Sequence, residues 1–309
     1  MMPLGFHKAA LLGTAGVSGG YGYSTGGQFE DDGVNVNIID KFPFASDSNA
    51  TDIADLTVAR RFCSGNQSSV SGYTGGGYAS SASDVIDKFP FASDSNATDV
   101  GNLTDAQYRQ GPASSSASGY WAGGDAGPML DTIEKNSFSS DGNASSVGDL
   151  LDEVYGLSGA ASSASGYGSG GVVSSTIMDV IQKWSFSSDA NSTDVGNLTV
   201  ARVDGSGCSS SASGYKCGGR AVADALVDVI DKFAFASDGD ATDVGDLIDD
   251  ESSGAGASSN ENGYTFGASL GGGVVTNIIQ KFSFSSDGNA SDIADLSGDR
   301  VLNAGISAP

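Results

Sequence analysis

One twelve-residue phrase, Lys-Phe-Pro-Phe-Ala-Ser-Asp-Ser-Asn-Ala-Thr-Asp, begins at Lys41 and again, unchanged, at Lys88. Relaxed copies begin at Lys135, Lys183, Lys232 and Lys281, so the spacings are 47, 47, 48, 49 and 49 residues. A second signal, Gly-Tyr with a glycine three residues after the tyrosine, keeps the same period at Tyr23, Tyr73, Tyr120, Tyr167, Tyr215 and Tyr264. Two independent anchors with one period make the chain six tandem copies of a single unit. A repeat of this size is one supersecondary element that must bury its apolar faces against its neighbours.

Within a copy the residues read as strands. Along 84–91, Val85, Asp87, Phe89 and Phe91 share one face, and Ile86, Lys88 and Pro90 the other, because strand side chains alternate. Apolar groups stand on both faces. The isoleucine two residues before each lysine recurs in every copy (Ile39, Ile86, Ile133, Ile181, Ile230, Ile279), as does the second phenylalanine (Phe44, Phe91, Phe138, Phe186, Phe235, Phe284). A strand apolar on both faces belongs to a sheet stacked between neighbours. A polar Ser-Asp-x-Asn/Asp turn follows, then a short run with Val or Ile and, three residues on, Leu (Leu56, Leu103, Leu150, Leu198, Leu247, Leu296). The Ser/Ala/Gly stretch and the Gly-Tyr-x-x-Gly signal supply two more short strands.

Four antiparallel strands in about 48 residues make a propeller blade. The sequence therefore predicts an all-β, six-bladed β-propeller over residues 18–309, closed by its N- and C-terminal segments. Forty-six glycines and many serines oppose the helical alternative. The first copy lacks a preceding partner and the last ends just after Leu296, so the region Asp299–Pro309 is expected to complete a blade beside Gly5–Gly20. Met1–Val17 does not fit the repeat, and its Phe6, His7, Lys8 and Leu11–Leu12 suit either a closing strand or docking to a neighbouring subunit. Blade 3 is expected to be the weakest, because Asn136 replaces the aromatic present at Phe42, Phe89, Trp184, Phe233 and Phe282.

The order of features, a glycine-rich hairpin, an aromatic-ended strand, a polar turn and an apolar run followed by arginine (Arg60, Arg109, Arg202, Arg300), resembles a kelch-type blade without the kelch tryptophan. More specifically, the stretch Lys88–Thr104 and the Ser-Ala-Ser-Gly-Tyr segments resemble repeats in structural proteins of tailed bacteriophages, particularly cyanophages, over residues 18–300. That resemblance implies a virion component of the tail or capsid, assembled in the host cytoplasm, and carries no functional residues with it. Its implied partners are other virion subunits in a homo- or hetero-oligomeric assembly, and a host surface glycan or receptor. An extracellular or filament-forming bacterial binding module is the alternative.

Thirty-eight acidic against 14 basic residues leave a net charge of −24. Such a field repels phosphate backbones, so nucleic acid is not an expected partner. No apolar stretch reaches the roughly 18–20 residues of a membrane span, and the run Ala9–Leu12 is short for a secretory segment. Cys63, Cys208 and Cys217 are odd in number and out of register, unlike a disulfide framework, although Cys208 and Cys217 could pair across a hairpin.

The turn residues Asp47, Asn49, Thr51 and Asp52, followed by Asp55, have the oxygen spacing that opens calcium loops. They lack the sixth-position glycine and the bidentate glutamate, the third copy carries Ser146, and the fifth has Asp240 for asparagine. A structural turn is the simpler reading. The Asn-x-Ser/Thr tripeptides at Asn49, Asn96, Asn102, Asn143, Asn191, Asn197 and Asn289 would invite N-glycans in a secreted eukaryotic protein; with no secretory segment expected at the N-terminus, they read as by-products of that turn. The six register lysines could form a basic ring, or pair with the Ser-Asp aspartates. Gly16–Gly27 matches a dinucleotide glycine pattern without a strand–loop–helix context. The single histidine, His7, excludes a histidine triad or a multi-histidine metal centre. The carboxylates could still supply an acid–base pair, as in a propeller hydrolase or lyase. No catalytic, cofactor or metal residue is assigned, and a non-catalytic structural or interaction protein is expected.

Overall fold

The computed structural model describes residues 20–29 and 33–309. It contains six four-stranded antiparallel sheets arranged as the blades of a β-propeller, with one 3-10 turn at Val222–Asp224. Blade 2 shows the plan. Its innermost strand is Ser64–Gln67, followed outward by Ser71–Gly75, Ser83–Pro90 and Thr98–Gln107, each paired with the next in sequence. In blade 1 the innermost strand comes from the other end of the chain. Ala304–Ala308 pairs with Tyr21–Thr25, which in turn pairs with Ile38–Pro43. The C-terminus thus closes the ring as expected, but against Tyr21–Thr25. Of the expected partner Gly5–Gly20, only Gly20 lies within the described residues, and Met1–Val17 lies outside them.

The blades hold one another through a core that lies between sheets. Each Gly-Tyr tyrosine stacks on the second phenylalanine of the following blade, with centroids 4.6–5.3 Å apart and interplanar angles of 23–27°. The series runs Tyr23–Phe91, Tyr73–Phe138, Tyr120–Phe186, Tyr167–Phe235, Tyr215–Phe284 and, across the closure, Tyr264–Phe44. The repeated isoleucines and leucines fill in behind these pairs. The glycine before each tyrosine is required by packing. A methyl group at Gly22, Gly72, Gly214 or Gly263 would overlap the first phenylalanine ring of its own blade.

At the axis the six innermost strands pack on one another in cyclic order. Gly65, Gly159, Gly207, Gly256 and Gly305 face the carbonyls of neighbouring inner strands so closely that any side chain would collide with backbone. Pro112 is the sixth member of this ring. The inner strands therefore touch backbone to backbone around the axis, and the narrow space they enclose holds hollows of about 80 and 120 Å³ lined by these same residues.

Blade 3 departs from the sequence expectation. Asn136 is buried, 3% exposed, and its Oδ1 accepts a hydrogen bond from the Trp121 indole at 2.9 Å. Trp121, fully buried, lies with Tyr73, Ile86 and Leu103 in the core between blades 2 and 3, where Phe89 lies in the preceding interface. The aromatic lost at Asn136 is supplied by the neighbouring strand, and the reason given for a weak blade is removed. We expect Trp121→Thr to cost about 3–5 kcal/mol as a cavity and Asn136→Phe about 1–3 kcal/mol by overpacking. The double variant, which recreates the Thr74/Phe89 pair of blade 2, should recover most of that loss in chemical denaturation. Amide exchange in the wild-type protein should show blade 3 as protected as its neighbours.

Candidate functional site

The two faces of the ring are built differently. One face carries the hairpins joining the first and second strands and the Ser-Asp-x-Asn turns joining the third and fourth. There the register lysines are used up. Each pairs with the Ser-Asp aspartate of the next blade, as in Lys41–Asp94 at 2.9 Å, Lys88–Asp141 at 2.8 Å and Lys135–Asp189 at 2.8 Å, and the series closes through Lys281–Asp47. Half-exposed pairs of this kind contribute about 0–1 kcal/mol each, so they set register between blades more than they stabilise them.

The asparagine of each turn is also engaged. Asn96 Oδ1 accepts the Asp55 amide at 3.2 Å, and the same bond recurs at every interface, ending with Asn49 and Asp295. In blade 5 Asp240 does the same for Asn197 at 2.9 Å, because the bond needs only an acceptor oxygen. The turns are inter-blade clips. Among the described residues no group of three or more His, Cys, Asp or Glu side chains is placed to hold a metal ion.

Cys208 and Cys217 are buried and unbridged. Cys208 registers with Tyr215 and Cys217 with Ser206, so the two thiols are diagonal neighbours and the cross-hairpin disulfide is not formed. Cys63 is likewise free, and burial pushes its thiol up to about 11.

Arg60, Arg202 and Arg300 are equivalent, fully buried, and paired with Asp87, Asp231 and Asp40 of the following blade. Arg109 falls two residues later in the repeat, and Gln107 holds the buried position. The repeat places Glu134 opposite Gln107, with no hydrogen bond between them, and Gln280 opposite Glu251, where Gln280 Nε2 donates to Glu251 Oε2 at 2.7 Å. Where the cation is missing, the carboxyl rises. Burial pushes Glu251 to about 7 and also raises Glu134.

The opposite face carries the blade-to-blade connectors and the hairpins between second and third strands. Six connector residues there, Phe62, Arg109, Gly156, Asp204, Ser253 and Leu302, all have positive φ, between 55° and 74°. They are joined head to tail by backbone hydrogen bonds. Phe62 N–H donates to Leu302, Arg109 to Phe62, Gly156 to Arg109, Asp204 to Gly156, Ser253 to Asp204 and Leu302 to Ser253, at 2.7–3.1 Å. This closed ring offsets the roughly 1–2 kcal/mol that each non-glycine pays for a left-handed backbone. It encircles an axial mouth with a hollow of about 90 Å³. The tyrosine, isoleucine, second phenylalanine, lysine and leucine of the frame are the same in all six copies, whereas this position carries six different residues.

Phe62 and Arg109, which line this hollow, also belong to a cationic and aromatic cluster that extends outward from it on the same face. The Arg109 guanidinium lies 4.2 Å from the centre of the Phe62 ring and 5.4 Å from that of Tyr155. Arg61 lies 5.5 Å from Phe62 and 5.4 Å from Tyr78. Tyr78 meets Tyr108 edge-on at 5.4 Å, and the Tyr108 hydroxyl donates to Asp125 at 2.8 Å. With Gly156 offering no side chain, Arg109 reaches Asp204 at 3.7 Å. Sequence reasoning did not single out Arg61, Phe62, Tyr78, Tyr108 or Tyr155. The available signal was the connector position at which the six aligned copies disagree.

Two titratable groups are buried behind this face in blade 5. Lys216 donates to Ser158 Oγ at 2.8 Å and to the Ser169 carbonyl at 3.0 Å. Burial, reinforced by the Arg202 charge, lowers it to about 7. Between about pH 7 and 10.5 the unfolded chain holds this proton and the folded chain does not, so Lys216 makes stability rise with pH there. Glu251 acts in the opposite direction. Its folded value lies above the unfolded one, so its cost grows as pH rises from 4.5 to about 7 and is full above that.

We therefore expect Glu251→Gln to flatten the stability change between pH 4.5 and 7 and to stabilise the protein at pH 8 by about 2–3 kcal/mol, as read by denaturation at each pH. No protein-family model matches the sequence, and no curated protein matches it.

Proposed function

We propose that this chain is a non-catalytic interaction module, which meets its partner at the connector-face mouth, and that it serves as a tail or capsid component of a phage particle. The observation that carries the first part is the contrast between frame and mouth. Every interface is fastened by the same tyrosine stack and lysine pair and by a turn-oxygen clip, from asparagine in five blades and from Asp240 in blade 5, while the six mouth positions all differ. A rigid ring with one individualised opening is suited to recognition, because the backbone around it needs no reordering on binding.

The virion part is supported by the resemblance of the Lys88–Thr104 repeat to phage structural proteins and by the attachment segment expected at Met1–Val17. Antibody against the full chain should label purified particles in electron micrographs. A chain without Met1–Lys8 should fold, with an unchanged melting profile, yet be missing from particles. Recovery of the intact chain only outside particles would overturn the virion assignment, and normal incorporation of the shortened chain would overturn the role given to the segment.

A further inference from the structure

Fourteen basic residues are spread unevenly over this acidic chain. Six lysines are held in the ion-pair ring of the opposite face. Lys216, Arg60, Arg202 and Arg300 are fully buried, and Lys8 lies outside the described residues. The remaining three, Arg61, Arg109 and Arg220, all stand on the connector face. In a molecule of charge −24, every described cation that reaches solvent outside the lysine ring is therefore gathered on the face of the axial mouth.

These three are not equally satisfied. Arg220 pairs with Asp224 at 2.9 Å, and Arg109 and Arg220 share Asp204 at 3.7 Å each. Among the described residues no carboxylate lies within 4 Å of Arg61, whose one side-chain hydrogen bond is a long one, 3.4 Å, to Asn35 Oδ1. The Nε groups of both Arg61 and Arg109 are buried and have no acceptor. Donors left unmade in this way are costly; being buried, they are out of reach of an incoming anion, which would meet the terminal nitrogens of Arg61 instead. The two guanidiniums lie against the same Phe62 ring.

Resting on the assignment of the mouth as the partner site, we propose that the sector formed by Arg61, Phe62 and Tyr78 binds an acidic saccharide, with its carboxylate on Arg61 and its ring against the tyrosines. A guanidinium fork matches a planar carboxylate by two parallel hydrogen bonds. The half-buried faces of Tyr78 and Tyr108 offer apolar surface with a polar edge, which suits the C–H face of a pyranose. The neighbouring acceptors, Asn35, Asp125 and Asp204, suit sugar hydroxyls, which donate. Those same carboxylates, together with the overall charge, disfavour a dianionic phosphate or a polyphosphate backbone. A singly charged, hydroxyl-rich ring meets all of these conditions together.

The test is calorimetric titration of the full chain with oligosaccharides of galacturonate, of glucuronate and of N-acetylneuraminate, beside their methyl esters, a neutral cello-oligosaccharide and a sulfated one. We expect at least one carboxylated probe to bind, its methyl ester to bind at least ten-fold more weakly, and Arg61→Gln to cause a similar loss. Arg61→Lys should restore little of it, since an ammonium lacks the fork. Lys88→Gln on the opposite face should change nothing, and melting curves establish that each variant is folded. Failure of every carboxylated probe to bind, or equal affinity for the methyl ester, overturns the proposal. If instead a neutral or sulfated probe binds and Arg61→Gln or Tyr78→Ala abolishes it, the carboxylate class falls and the mouth survives. Binding that neither substitution alters removes both.

Discussion

The whole structure depends on the stacking of one blade's tyrosine on the next blade's phenylalanine. A single four-stranded sheet of this composition has apolar groups on both faces and nothing of its own to cover them. Each interface buries a tyrosine, two aromatic neighbours, an isoleucine and a leucine, and burial of one such side chain is worth about 1.5–3 kcal/mol. The stack itself adds about 0.5–1.5 kcal/mol. Against that, the exposed lysine pairs are small contributions. Because every blade needs the next one, the requirement is met only when the ring closes, and the strand Ala304–Ala308 brings the last copy against the first.

Closure also explains where polar groups can be buried. Each third strand carries one inward polar residue, and its side chain accepts an amide from the preceding blade. Asp87 takes Thr57 at 3.1 Å, Gln182 takes Leu151 at 2.8 Å, and Gln280 takes Ile248 at 2.8 Å. Three of these positions are carboxylates neutralised by a buried arginine, and others are amides that need none. The cost of burying charge falls on the exceptions, Glu134 and Glu251, whose carboxyls are pushed up by burial. The repeat therefore tolerates either an ion pair or a neutral amide at this depth, provided that the bond to the preceding blade is kept.

The mouth obeys a different rule. Its backbone is held by a ring of hydrogen bonds between main-chain groups, so side-chain identity there is free of the frame. Phenylalanine, arginine, aspartate, serine and leucine all adopt the same left-handed conformation. A position that folding leaves unconstrained is where six copies can differ and where recognition can be placed without cost to the ring. The cations that the frame does not use stand around it.

Much of this was legible in the sequence, because the frame is periodic. Two anchors at one spacing determined six blades, four strands in each, and the strand faces. The choice between a basic ring and lysine–aspartate pairs could be posed from spacing and was decided by the turn of each blade reaching its neighbour. What the sequence could not decide depended on contacts between copies. Asn136 looked like a lost aromatic, since Trp121 is fifteen residues away in the chain and becomes its partner only across a strand pair. In the sequence Arg109 groups with the arginines that follow the apolar run, although it stands six residues after Leu103 where Arg60, Arg202 and Arg300 stand four after theirs; that the four-residue position is the buried one depends on contact with the next blade. The mouth required closure itself: residues from 62 to 302 become neighbours only when the C-terminal strand joins blade 1, and a ring of contacts between ends of the chain leaves no local signature.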